Sequence, residues 1–246
     1  MSSAWRVGEL VGAAFETPTA RTLRIRIPGL HGHVAGQHVD IRLTAPDGYQ
    51  AVRSYSIASA LPGDELELTV EELADGEVSP YLVRGLAVGD KLEVRGPVGG
   101  WFVWRPGDDG PVQLIAGGSG VVPLASMVRA HAAAGSAVGF RLLYSVRMPG
   151  TIYYQHEFDR LEKDAAAPLE ITYVYTRVAP AGWPVPAGRL TAQALKEHIL
   201  PPEASAMFFI CGATAFVESV SDWLVAAGYD PDRIKTERYG GVGGVS

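Results

Sequence analysis

The chain has one cysteine, Cys211, in 246 residues. A disulfide framework within the chain is therefore excluded, and so is any cluster held by four of its own cysteines. Metal-ligand spacing is missing as well: the six histidines are scattered and none falls in an H-E-x-x-H pattern. No basic run interrupts a formal net charge of -6, which argues against nucleic acid as a main partner. No apolar stretch approaches the ~18 residues needed to cross a membrane, and no signal-peptide core opens the sequence. The expectation is a soluble, cytoplasmic protein with no metal site and no membrane insertion. Disorder is excluded too, because 47% hydrophobic and 20% charged residues suffice for a packed core.

What is present divides into two rhythms. Residues 1–106 read as β. "TLRIRIPG" (22–29), "QHVDIRLT" (37–44), "ELELTVEE" (65–72) and "KLEVRG" (91–96) alternate apolar with polar residues, as half-buried strands do. Breakers separate them at 28–29, 46–48, 62–64 and 88–90. About six short strands with regular turns predict an antiparallel barrel, interrupted by one short helical insert at "VSPYLVRG" (78–85). "RPGDDGP" (105–111) then makes a linker. From 111 to 246 fully apolar strands alternate with helical stretches: "VQLIAGG", "VVPLASMVRAHAAAG", "VGFRLLYSV", "YYQHEFDRLEK", "LEITYVYT", "TAQALKEHI", "AMFFICG" and "AFVESVSDWLVAAG". That order predicts a doubly wound α/β domain on a parallel sheet, with ligands off the carboxyl ends of its strands.

Three stretches carry chemistry. "AGGSGVVP" (116–123) follows a buried strand and opens a helix, so its glycines let backbone approach a pyrophosphate at a helix N-terminus. It is not G-x-G-x-x-G, and on its own it also reads as a plain strand–helix turn. "RSYS" (53–56) sets Arg53 and Tyr55 on one strand face, a cation for an anionic group and a ring for a flat heterocycle, with Ser56 on the other. Alone it reads first as an ordinary exposed strand face. "GEVSPYL" (76–82) offers a second small anion cradle, or simply a loop with a Ser helix cap.

Taken together and in this order, the three resemble the motifs of the ferredoxin–NADP reductase family. "GPVGGWF" (96–102), the Cys-Gly pair in "FFICGATAFVESV" and "ERYGG" (237–241) extend the resemblance over nearly the whole chain. It implies an N-terminal antiparallel Greek-key β-barrel that binds FAD (1–106), then a doubly wound α/β nucleotide-binding domain with a five-stranded parallel sheet (111–246). By that resemblance Arg53 holds the FAD diphosphate, with Ser54 beside it, Tyr55 stacks on the isoalloxazine and Ser56 hydrogen-bonds flavin N5. Thr69, Val70 and Glu71 resemble the strand along the ring edge, and Gly76, Val78 and Ser79 the second diphosphate cradle, which favours FAD over FMN. Gly117, Gly118, Ser119 and Gly120 resemble the pyrophosphate turn for the pyridine nucleotide. Cys211 and Gly212 resemble the pair beside the nicotinamide, although a cysteine there also reads as a small buried apolar residue. Tyr239 resembles the C-terminal aromatic over the other flavin face.

The coenzyme is NADPH or NADH, with NADPH favoured. Thr176 and Arg177 in "YTR", Arg189 in "GRLT", and Arg147 after "LYSV" resemble residues that hold a 2′-phosphate; they also read as solvated loop arginines. Thr191 stands where relatives carry an adenine-stacking Tyr. The resemblance implies hydride transfer from NAD(P)H to FAD. Single electrons then go to a separate redox protein, such as a ferredoxin, an oxygenase component or a cytochrome. The chain lacks the cysteines of a ferredoxin module, and its tail "GGVGGVS" reads as a linker. Two alternatives stand beside this: a free-flavin or ferric-chelate reductase, and a non-catalytic flavin electron-transfer subunit.

Overall fold

The structure, a computed structural model, describes residues 4–60, 63–164 and 166–239. Pro62 of the third breaker, Gly240 and Gly241 of "ERYGG", and the tail lie outside the described residues. The chain forms two compact units, 1–105 with 125–130, and 106–124 with 131–246.

The first unit contains six antiparallel strands: β1 (Arg6–Thr17), β2 (Ala20–Arg26), β3 (His38–Thr44), β4 (Gln50–Ser56), β5 (Glu65–Glu71) and β6 (Lys91–Val98). They pair in the order β4-β3-β6-β1-β2-β5, and an isolated bridge from Ile57 to Leu68 closes the sheet on itself. Alternation places Leu23, Ile25, Val39, Ile41, Leu66, Leu68, Val70, Leu92 and Val94 inside. The predicted helical insert is a single π-helical turn, Tyr81–Gly85, whose Leu82 and Val83 join that core. Arg21 Nη1 donates to the carbonyls of Leu82, Val83 and Leu86, at 3.5, 3.2 and 2.8 Å, and so satisfies the end of this turn. Ser79 does not cap it; its hydroxyl accepts from Leu73 N–H at 3.0 Å and closes the preceding loop.

On the outer face of β3, β4 and β6, Asp40 lies opposite Ser54 in one register and opposite Arg95 in the other. Its carboxylate accepts from Ser54 Oγ at 2.6 Å and from Arg95 Nη2 at 2.7 Å. Arg95 and Arg42 both lie over the Trp5 ring, 4.8 and 4.3 Å from its centroid.

The second unit has five parallel strands: β7 (Val112–Gly117), β8 (Phe140–Val146), β9 (Leu169–Tyr175), β10 (Met207–Ala213) and β11 (Ile234–Tyr239). Their order, β11-β10-β7-β8-β9, runs outward from β7 in one direction, then returns to its other side. Helices α1 (Val121–Ala133), α2 (Gln155–Leu161), α3 (Ala192–His198) and α4 (Thr214–Ala226) connect them. Helix α1 ends as predicted at Gly135, whose φ of +56° and N–H bond to Ala132 O make a left-handed stop. α3 opens on Thr191, whose hydroxyl accepts from Ala194 N–H at 3.2 Å. Strands β1 and β11 were not named from the sequence; "AFVESVSDWLVAAG" is followed by a further strand rather than ending the fold. Among the described residues no helix is long and apolar enough to cross a membrane.

Burial would raise the Asp40 carboxyl, but the Ser54 hydroxyl and the Arg95 guanidinium outweigh it and hold it below the ordinary carboxylate value. A depressed folded value means stability present above the unfolded value of about 4 and lost as pH falls through the folded one. Asp40→Asn should therefore cost about 1–2 kcal/mol at pH 7 and flatten the pH dependence of the unfolding midpoint below pH ~4. Chemical denaturation of both proteins at pH 3 to 7 checks this.

Candidate functional site

The barrel and the α/β unit each gather one set of the residues singled out above. In the barrel, register places Arg53 opposite Ile41 and Tyr55 opposite Val39, so both leave the core-facing side of β4. Arg53 is half exposed and Tyr55 packs against the core. Burial pushes the Tyr55 phenol up to about 12, with Arg53 pulling against it, so the ring is neutral at every physiological pH. Ser54 and Ser56 leave the other face, and Ser54 is engaged with Asp40. The bridge from Ile57 to Leu68 brings the end of β4 beside Thr69 of β5. Thr69 is buried with its hydroxyl 2.8 Å from that of Thr22, Val70 lies in the core, and Glu71 is partly exposed.

The 73–79 loop is folded on itself, with Gly76 N–H donating to Leu73 O at 2.8 Å. A Cβ on Gly76 would fall 2.8 Å from Ser79 Oγ and 3.0 Å from Leu73 O, so only glycine allows the loop to close this tightly. Val78 and Ser79 are both buried. Glu77, which the sequence reading passed over, accepts from Arg53 Nη2 at 2.5 Å and from the Tyr49 hydroxyl at 2.8 Å. It fills a variable position inside the cradle motif, so a pattern of glycine and serine gives it no signal.

In the α/β unit, Gly117 ends β7, and Gly118, Ser119 and Gly120 make a 3₁₀ turn that leads into α1. This is the point where strand order reverses, between β7 and β10. Cys211 and Gly212 lie on β10 directly alongside. A Cβ on Gly120 would fall 2.3 Å from the Cys211 carbonyl oxygen, so the turn rests on β10 backbone to backbone. Phe216, also unpredicted, is packed against Gly117 and Gly212. Tyr239 pairs with Ala213 on β11 and reaches past β10, donating its hydroxyl to Gly117 O at 2.6 Å. Burial, with Glu237 nearby, raises the Cys211 thiol well above its ordinary value. It is a neutral buried group, not a thiolate.

Arg147, Thr176, Arg177 and Arg189 come together at the carboxyl ends of β8 and β9. Arg147 O accepts from Arg177 N–H at 3.0 Å, and Gly188 N–H donates to Tyr175 O at 2.9 Å. All three arginines are exposed. Trp183, in the loop between the last two, meets Tyr175 edge-on with ring centroids 5.0 Å apart.

Residues 9–103 match the oxidoreductase FAD-binding domain and residues 114–222 the oxidoreductase NAD-binding domain. The reductase subunit of a glycine betaine monooxygenase from Chromohalobacter salexigens is 32% identical over 83% of this chain, which spans 55% of that protein. An NADH-cytochrome b5 reductase 1 from Pyricularia oryzae is 30% identical over 85% of this chain and 70% of its own length. The flavohem-like FAD/NAD-binding domain of nitric oxide dioxygenase from Vibrio cholerae superposes with a TM-score of 0.84 at 25% identity, covering 96% of this chain and 99% of that one. A ferredoxin NADP+ reductase from Neisseria gonorrhoeae shares the fold at TM-score 0.81 and 23% identity, over 95% and 98% of the two chains. The chain belongs to the ferredoxin–NADP reductase-like family.

Both domains of the chain fit the cofactors that the matched domain families are named for. The barrel supplies a guanidinium, a neutral ring and a cradle that a Cβ would fill; the α/β unit supplies a glycine turn at its switch point. Gly120→Ala should force the turn off β10, lowering stability by about 1–3 kcal/mol and weakening nucleotide binding by more than about tenfold. Thermal unfolding with a titration of NADPH and NADH measures both. An unchanged melting curve and affinity would show that the close approach carries neither.

Proposed function

We propose that the chain is an FAD-dependent NAD(P)H oxidoreductase that takes hydride from NADPH and passes single electrons to a separate redox protein. The observation that carries this reading is the Gly117–Gly120 turn seated on Cys211 and Gly212 where the parallel sheet divides. When bound, the flavin converts a two-electron donor into one-electron steps. The protein's own residues bind, orient and shield. Arg53 offers paired N–H groups to a diphosphate, the 76–79 loop gives the second contact, and the neutral Tyr55 ring gives a flat apolar surface. Ser56, Thr69, Val70 and Glu71 flank the ring edge in this reading. The Cys211 thiol, held protonated, gives the nicotinamide a small uncharged neighbour and stores no reactive thiolate.

NADPH is favoured over NADH on charge. Arg147, Arg177 and Arg189 are exposed and carry no ion pair among the described residues, while residues 171–196 contain no Asp or Glu. A 2′-phosphate needs cations, and a free ribose hydroxyl needs an acceptor that this stretch does not supply. The acceptor protein is read from the relatives. One is named as a monooxygenase's reductase subunit and another as a cytochrome b5 reductase, so an oxygenase component, a cytochrome or a ferredoxin is the class of partner. An iron–sulfur centre in the route would need other cysteines than this chain's one.

Anaerobic stopped-flow mixing of the FAD-loaded protein with NADPH and with NADH tests the reading. Rapid flavin bleaching, faster with NADPH, is expected; no bleaching by either coenzyme would leave a flavin-carrying subunit instead. Turnover of small acceptors as fast as of any redox protein would favour the free-flavin or ferric reductase reading. Arg177→Ala with Arg189→Ala should raise KM for NADPH at least about tenfold, because each charge-assisted contact is worth about 1.5–3 kcal/mol, while leaving KM for NADH nearly unchanged. Equal effects on the two would remove the 2′-phosphate site. Arg53→Ala should lose FAD during purification, and full retention would remove its diphosphate role.

A further inference from the structure

We propose that Glu77 is a built-in competitor of the flavin diphosphate, and that it sets how tightly this chain holds FAD. This rests on the reading of Arg53 as a diphosphate ligand. Both carboxylate oxygens of Glu77 are engaged: Oε2 accepts from Arg53 Nη2 and Oε1 from the Tyr49 hydroxyl at 2.8 Å. A carboxylate and a phosphate both offer anionic oxygens to a guanidinium, so Glu77 occupies a donor, Nη2, that a diphosphate needs, while Nη1 is held by the Val52 carbonyl. The Tyr49 phenol is raised above its ordinary value by that hydrogen bond, which keeps it a donor to the carboxylate.

The position of Glu77 makes the competition unavoidable. Its backbone lies in a closed loop, pinned on one side by Gly76 N–H on Leu73 O and on the other by Leu73 N–H on Ser79 Oγ. The side chain can swing off Arg53, but its charge cannot leave the neighbourhood of the cradle. The ion pair is also easy to displace, since its side chains are 51% and 47% exposed, and such pairs are weak in water. Tyr49 and Glu77 line an open cavity of about 720 Å³, together with Tyr81, Thr44 and Leu92, so the carboxylate has open space beside it into which it can swing when Arg53 is taken. FAD therefore binds by taking Arg53 from Glu77 and then sits beside the displaced carboxylate, with like charges opposed.

The test uses the full chain stripped of FAD and retitrated, with binding followed by quenching of flavin fluorescence. Glu77→Gln keeps the shape and removes the charge. It should bind FAD about fivefold more tightly, which is about 1 kcal/mol at 1.4 kcal/mol per decade. Its affinity for riboflavin, which has no phosphate, should stay as in the parent, and Glu77→Ala should shift FAD affinity the same way. Unchanged or weaker FAD binding by Glu77→Gln, or an equal gain for riboflavin, would overturn the competition. If Arg53→Ala binds FAD as well as the parent, the diphosphate reading fails first; if it binds poorly while Glu77→Gln changes nothing, only the role of Glu77 falls.

Discussion

The carbonyl oxygen of Cys211 stands where a side chain on residue 120 would have to begin, and the α/β unit is arranged around that approach. Strand β7 is central, and the chain leaves it first towards β8 and later returns to β10. At such a reversal neighbouring connections part and open a crevice at the carboxyl ends. Glycine at 117, 118 and 120 on one wall, and at 212 on the other, keeps the crevice lined by backbone. Phe216 closes its base against Gly117 and Gly212. The apolar cluster beneath, in which Phe208, Ile210, Val217, Val220 and Leu224 are buried, keeps the walls from spreading.

The barrel solves a different problem. Five of its strand neighbours pair fully, but β4 meets β5 only through the Ile57–Leu68 bridge. A seam so sparsely paired leaves strand edges with backbone groups available for another partner. The π-helical turn at Tyr81–Gly85 fills part of the core behind it, and Arg21 holds that turn in place. The same economy that leaves the seam short thus positions Arg53, Tyr55 and the 76–79 loop around it. Asp40, bridging Ser54 and Arg95, ties β4 to β3 and β6 from the outside, so the strand that carries Arg53 has little freedom to move.

Strands whose alternation is regular, such as β2, β3, β5 and β6, were legible because one face is core and the other water. Helix α1 was legible from its start after glycines and its stop at Gly135. Strand β1 was not, because "RVGELVGAAFET" carries two register shifts, at Leu10/Gly12 and Phe15/Thr17, that break its period. Nor was β11, an edge strand whose "IKTERY" is mostly polar and only partly buried. The candidate site residues were legible as a set of motifs, which is why Arg53, Gly76 and the 117–120 turn were singled out. Phe216 and Glu77 were hidden for a physical reason: each acts on a motif residue from a position whose identity the motif leaves open.

The two anion-binding regions differ in one respect that follows from what each is proposed to hold. Arg53 already has a carboxylate on it, whereas Arg147, Arg177 and Arg189 have none among the described residues. A resident cofactor binds once, so a neutralised guanidinium costs only affinity, and it spares the empty barrel an exposed bare charge that would attract other phosphates. A coenzyme that exchanges at every turnover gains from the opposite arrangement. Unpaired cations at the same carboxyl-end edge of the sheet draw a phosphorylated ligand in by long-range attraction, and their effect matters more in a chain whose net charge of -6 repels anions elsewhere. Salt screens that attraction over about 8–10 Å at physiological ionic strength, so the cationic cluster has to sit close by, on the ends of β8 and β9 next to β7 in the same sheet, to be felt at all.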